Sequence, residues 1–173
     1  MKDTSIEEGE INIPYFFLET DLENVDCNYF IQKIEEGIRY ENNKSFVTNV
    51  KGEMTDWKYF KSDKIFLNML FPVLDYIEHH LDLTRYELSN CWGLKEGWGH
   101  YTSLHHHDPC YFSGALYLND HDSELNFPQL KKTIPTKKNK LLLFSSRLEH
   151  GTKRNIIKEP KYALAFNFDY AAN

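Results

Sequence analysis

The stretch "SLHHHDPCYFSGALYLND", Ser103 to Asp120, runs three consecutive histidines into an aspartate. Imidazole and carboxylate are the side chains that hold divalent transition metals, and side chains two apart on an extended backbone share a face. In that register His106 and Asp108 point together, and His105 and His107 point the other way. One imidazole plus one carboxylate is two thirds of the facial triad that holds non-haem Fe(II) and leaves positions open for reactants. The third ligand is expected from "LLLFSSRLEHGTKRN", an apolar strand and polar turn that end at His150. The metal set read from spacing is therefore His106, Asp108 and His150, with His105 and His107 dispensable. Cys110, beside the cluster, becomes a ligand only if the metal is zinc. An isolated His-x-Asp step is common by chance and a histidine-rich loop is usually solvated, so the reading leans on the last strand.

In "KYALAFNFDY" the residues Tyr162, Leu164, Phe166 and Phe168 fall on one face and suit a packed core. The other face carries Lys161, Ala163, Ala165 and Asn167. A cation followed by two minimal side chains describes the floor of a cavity for an anion, because lysine is rarely buried without a partner. The alternative is a Lys161 that begins its strand in solvent. By the same parity "SGALYL" lines up Ser113, Ala115 and Tyr117, small residues and then a phenol that can donate a hydrogen bond into a pocket.

These strands need a scaffold. "INIPYFFLE" reads as an opening strand with Pro14 at an edge. "ENVDCNYFIQKIEEGIRYE" spaces Phe30, Ile31, Ile34 and Ile38 as a helix. "SDKIFLNMLFPVLDYIEHHL" is a second helix, capped by Ser62 or Asp63 and kinked at Pro72. Its core stripe is Ile65, Phe66, Met69, Leu70, Val73, Leu74 and Ile77, and His79 and His80 end it as structural residues suited to the helix dipole. After Leu83 come short strands, at 86–94, 111–119, 123–129, 140–145 and 161–170. Helices followed by strands give an α+β chain, helices packed on one side of an antiparallel sheet or barrel.

At 173 residues the chain reads as one domain, 1–173, with a helical part at about 20–83 and a barrel core at about 84–170. A formal charge of −6 disfavours a nucleic-acid partner, which needs a basic face. The five lysines of "KKTIPTKKNK" read as a solvated loop. No apolar stretch is long enough to span a membrane, the N-terminus lacks a signal-peptide core, and three scattered cysteines read as reduced thiols. A cytoplasmic location is expected, the host cytoplasm if the chain is phage-encoded; oligomeric state is open.

His-x-Asp, a distal histidine and a basic residue on the last strand together resemble the Fe(II)/2-oxoglutarate-dependent dioxygenases. The resemblance is greatest to the prolyl-hydroxylase-like branch and its small phage and bacterial members. It is carried by "HHDPCYFSGALYLN", "LLLFSSRLEHGTKRN" and "KYALAFNFDY", and spans about residues 86–170. It implies a double-stranded β-helix (jelly-roll) flanked by N-terminal helices, with Fe(II), 2-oxoglutarate and O2 as cofactors and His106, Asp108 and His150 as iron ligands. Lys161 matches the position of an arginine that binds the distal carboxylate of 2-oxoglutarate, and Tyr117 a tyrosine bonded to the same group. A lysine offers a point charge where arginine offers a fork. Arg154 is the rival anion partner if Lys161 points outward. The glycine- and aromatic-rich "CWGLKEGWGHYTSL" suggests a lid with Trp92, Trp98 and Tyr101 as substrate contacts, or else packing of the barrel mouth. The implied reaction is hydroxylation of a protein or peptide side chain, proline foremost, with succinate and CO2 as coproducts. The alternatives are a free amino acid or small metabolite as substrate, or a cupin-like metal-binding protein without 2-oxoglutarate turnover. Nucleic-acid demethylation within the superfamily is disfavoured by the acidic balance.

Overall fold

The computed structural model describes residues 2–10, 14–40, 46–81, 83 and 85–171. Twelve strands and two helices carry its architecture, starting with β1 (Lys2–Glu10), β2 (Pro14–Asp21) and α1 (Cys27–Tyr40). Then follow β3 (Val50–Lys51), β4 (Glu53–Met54), α2 (Lys64–Leu81), β5 (Tyr86–Glu96), β6 (Tyr101–Thr102) and β7 (Phe112–Tyr117). The chain closes with β8 (Glu124–Phe127), β9 (Lys132–Pro135), β10 (Lys140–Ser145), β11 (Gly151–Thr152) and β12 (Lys161–Tyr170). A seven-stranded sheet has the order β1-β2-β10-β7-β12-β5-β4, a three-stranded sheet the order β11-β8-β9, and β3 pairs with β6. Every pairing is antiparallel.

Strand β10 shows why the layers stack as they do. Leu141, Leu142, Leu143 and Phe144 are all buried, which a strand covered on both faces requires. Leu141 and Leu143 join the core under the helices, with Phe30 and Ile34 of α1 and Phe66, Leu70, Val73 and Ile77 of α2. Leu142 and Phe144 face the small sheet and pack with Leu125, Phe127 and Ile134. The large sheet is thus the middle layer, with helices on one face and the small sheet on the other. Strand β12 obeys the same alternation: Leu164, Phe166 and Phe168 enter the helix-side core, leaving Lys161, Ala163 and Ala165 on the inter-sheet face.

Both helices start on an aspartate. Asp26 Oδ1 accepts from the Tyr29 N–H at 3.0 Å, and Asp63 Oδ1 accepts from Ile65 and Phe66 at 3.0 Å each, so Asp63 rather than Ser62 is the cap of α2. Of the expected stripe Phe66, Leu70, Val73 and Ile77 are buried, whereas Ile65 is 46% exposed. Two residues after the cap the chain still faces outward, and the inward face begins at Phe66. Helix α2 continues through Pro72, and His79 and His80 hydrogen-bond the Asp75 and Tyr76 carbonyls of their own helix.

Two expectations change. Strand β1 pairs along β2, so Pro14 opens an inner strand rather than an edge. The rest of the expected opening strand, 11–13, lies outside the described residues. The lysine-rich segment contains β9, whose Ile134 is buried, and its Lys132 pairs with Glu7. A single buried apolar side chain among charges leaves too weak an alternation to reveal a strand from sequence.

Candidate metal centre and its cavity

Between the two sheets opens a narrow cleft, with a cavity volume of about 60 Å³. Its walls come from β5 (Trp92, Leu94), β7 (Gly114, Ala115, Tyr117), β8 (Leu125), β10 (Phe144) and β12 (Lys161, Ala163, Ala165). Three histidines complete it: His105, His107 and His150. One ligand nitrogen from each lies within 4.8 Å of the other two.

The backbone sets this convergence. His105 and His150 form an antiparallel bridge, with the His105 N–H donating to the His150 carbonyl at 3.1 Å and the reverse bond at 2.9 Å. Residues paired in this way carry their side chains on the same side. His107, two residues on, returns to that side, and its N–H is held by the Ser146 carbonyl at 2.8 Å. Gly151 follows His150 where a Cβ would stand 2.9 Å from the Thr102 carbonyl oxygen, so a glycine lets the two histidine-bearing segments close.

The alternation expected of the cluster holds, but the opposite pair faces inward. His106 and Asp108 are exposed, and Asp108 Oδ1 accepts from Arg147 Nε at 3.1 Å outside the cavity. The expected set of His106, Asp108 and His150 is therefore not brought together, whereas His105 and His107 are. Parity can pair residues but cannot say which pair faces the core; here the long-range bridge to His150 decides. Cys110 lies outside the cluster, and its thiol is pushed up to about 12 by burial and by Asp169.

The donor set fits a metal. Nδ1 of His105 contacts the Ser103 carbonyl at 2.8 Å, and Nδ1 of His150 contacts the Leu148 carbonyl at 3.0 Å. A carbonyl can only accept, so these nitrogens carry the protons and each Nε2 presents a lone pair. Burial, with the neighbouring imidazoles adding to it, holds His107 at about 2 and His150 at about 3, and burial lowers His105 as well. All three are neutral at pH 7, the form that coordinates. Three imidazoles suit zinc, copper, iron or nickel.

At the other end of the cleft Lys161 is 4% exposed, so it does not begin its strand in solvent. Its partner is Glu96, directly opposite in the β5–β12 register, 2% exposed and bonded to the Thr102 hydroxyl. Burial works against the Glu96 carboxylate, but the Lys161 ammonium and the Thr102 hydroxyl outweigh it and keep it below the usual range. Sequence reading missed Glu96, because only the strand register reveals its place. Tyr117 lines the same end, its hydroxyl buried without a hydrogen bond of regular geometry, and the Trp92 indole N–H is likewise unsatisfied. Buried polar atoms of this kind are rare without a guest or water.

The remaining expected residues lie elsewhere. Arg154 lines a separate groove on the outer face of the small sheet, donates to the Gly99 carbonyl at 2.9 Å and sits 5.0 Å over the Tyr101 ring. It is not an anion partner inside the cleft. Trp98 is 70% exposed, and Trp92 packs edge-on against Trp57 at 4.7 Å as cavity wall rather than lid.

No family model and no curated protein matches the chain. Solved structures do match in fold. The viral collagen prolyl hydroxylase of Paramecium bursaria Chlorella virus-1, in its 2-oxoglutarate complex, superposes with a TM-score of 0.69 at 15% identity, covering 90% of this chain and 96% of that one. A Pseudomonas putida prolyl-4-hydroxylase gives 0.70 at 13% identity, covering 90% and 93%. A non-haem α-ketoglutarate-dependent epimerase of nogalamycin biosynthesis gives 0.70 at 11%, covering 90% and 80%. The chain has the jelly-roll fold of the Fe(II)/2-oxoglutarate-dependent oxygenases, prolyl hydroxylases among them.

Proposed function

We propose that the chain is a non-haem Fe(II)- and 2-oxoglutarate-dependent hydroxylase whose iron is held by His105, His107 and His150. The observation that carries this is the pairing of three convergent neutral imidazoles with a buried lysine at the far end of one cleft. Lys161 and Ala165 are four residues apart on one strand, roughly 13 Å along its axis, and the lysine side chain folds back over part of that span. A short dicarboxylate fits between, one end at the imidazoles and the other at the Lys161 ammonium and the Tyr117 hydroxyl. Ala163 and Ala165 leave it room, Leu125 and Phe144 keep water out, and the Ser103 and Leu148 carbonyls aim two of the imidazoles. The iron, with 2-oxoglutarate and O2, supplies decarboxylation to succinate and CO2 coupled to insertion of oxygen into a C–H bond. The substrate we favour is a peptide side chain, proline foremost, supported by the fold shared with two prolyl hydroxylases. A free small molecule is the other substrate class. Measuring succinate with Fe(II) and 2-oxoglutarate, against proline-rich peptides and free amino acids, tests the reading. Mass spectrometry should find one added oxygen atom on a peptide; oxygen on a free small molecule alone would leave the oxygenase and remove the peptide.

An all-imidazole donor set and a lysine already paired with Glu96 favour one further reading, a cupin-like metal-binding barrel without 2-oxoglutarate turnover. Tight metal binding with no succinate formed would select it.

A further inference from the structure

We propose that Glu96 is a proton-linked lock on the anion end of the cleft: a dicarboxylate guest takes the Lys161 ammonium over from Glu96, and Glu96 binds one proton as it does so. The inference rests on the reading above, in which Lys161 receives the guest's distal carboxylate. Lys161 and Glu96 are 4% and 2% exposed, and together they make the cleft floor electrically neutral. A neutral floor does not attract an anion. A carboxylate placed on the ammonium would put two carboxylates beside one cation in a site closed to water, an arrangement that keeps one of a carboxyl pair protonated. Apart from Lys161, only the His100 imidazole among the groups facing Glu96 can carry a positive charge. Lys161 comes from β12, Thr102 from β6, the Tyr117 phenol from β7, and His100 from the turn after β5, where its Nδ1 accepts from the Gly97 N–H at 3.0 Å. Gly52 beside β4 adds no side chain, and Asn155 meets only the Glu96 backbone carbonyl, at 3.0 Å. Protonation leaves Glu96 well bonded, because the Thr102 hydroxyl can accept where it now donates. The step is a proton transfer from solvent to one Glu96 oxygen and nothing else.

Isothermal titration of the Zn(II)-saturated protein with 2-oxoglutarate, in buffers of different ionisation enthalpy, reads the proton directly. Near pH 6 to 7 the expected uptake is about one proton per guest, and affinity should fall by roughly tenfold per pH unit as pH rises. Glu96→Gln keeps the shape and removes the charge, so uptake should vanish, affinity should become nearly independent of pH, and binding at pH 8 should tighten by about a thousandfold or more. Binding by the wild type without proton uptake would overturn the lock while leaving Lys161 as the anchor, and weaker binding by Glu96→Gln would make Glu96 a support for Lys161 instead. If 2-oxoglutarate does not bind, or binds equally well to Lys161→Met, the underlying reading fails and takes the lock with it.

Discussion

His107 and His106 are neighbours in the chain and opposites in environment, one facing the cleft and the other exposed. Alanine at His105, His107 or His150 should therefore weaken metal binding by orders of magnitude, while His106→Ala and Asp108→Ala leave it near wild type, as read by metal titration. Losses at His106 and Asp108, with none at His105 and His107, would return the site to the set expected from spacing. The same burial dictates a pH response. His107 and His150 sit at about 2 and 3 when folded, against an ordinary value of 6.5. Their folded values are depressed, so the unfolded chain takes up protons first as pH falls. The metal-free protein should keep full stability above about pH 6.5 and lose about 1.4 kcal/mol per pH unit for each such histidine below it. Thermal melts from pH 7.5 to 4.5 check this, and His107→Gln should flatten the slope.

At the scale of elements, what was legible was whatever local pattern controls. Strand β10 and strand β12 have the bounds read from "KLLLFS" and "KYALAFNFDY", because unbroken or alternating apolar runs between turn residues leave little choice. The two inward faces of β12 and β7 were also readable, since parity needs only one strand at a time. Register was not, and register is what pairs Glu96 with Lys161 and His105 with His150. Helix packing hides a similar long-range requirement in Gly93 of β5, where an added Cβ would lie 2.3 Å from Ile34 Cγ1 of α1. Ile34 is fully buried and has little freedom to move away. Gly93→Ala should cost about 1–3 kcal/mol of stability in urea denaturation, and that cost should shrink in an Ile34→Ala background, which removes the clashing Cγ1.

In the whole molecule the large sheet separates stability from chemistry. Its helix-side face carries the larger core, and its other face lines the cleft. Ala165 and Phe166 are adjacent on β12 and belong to different sides of that division. Phe166 is fully buried and packs edge-on against Phe66 of α2, with ring centroids 5.2 Å apart. Phe166→Ala should remove about 3–5 kcal/mol of stability, whereas the surviving folded protein keeps its metal affinity. Ala165 lines the cleft beside Trp92, its partner on β5, and touches the small cluster of Val50, Met54 and Trp92 at that wall. Ala165→Leu should project into the cleft, cost less stability than Phe166→Ala and abolish 2-oxoglutarate binding by the metal-loaded protein. Calorimetry of both variants decides the matter: if Ala165→Leu unfolds the chain, or Phe166→Ala spares its stability, the two faces of the sheet are not divided between fold and site.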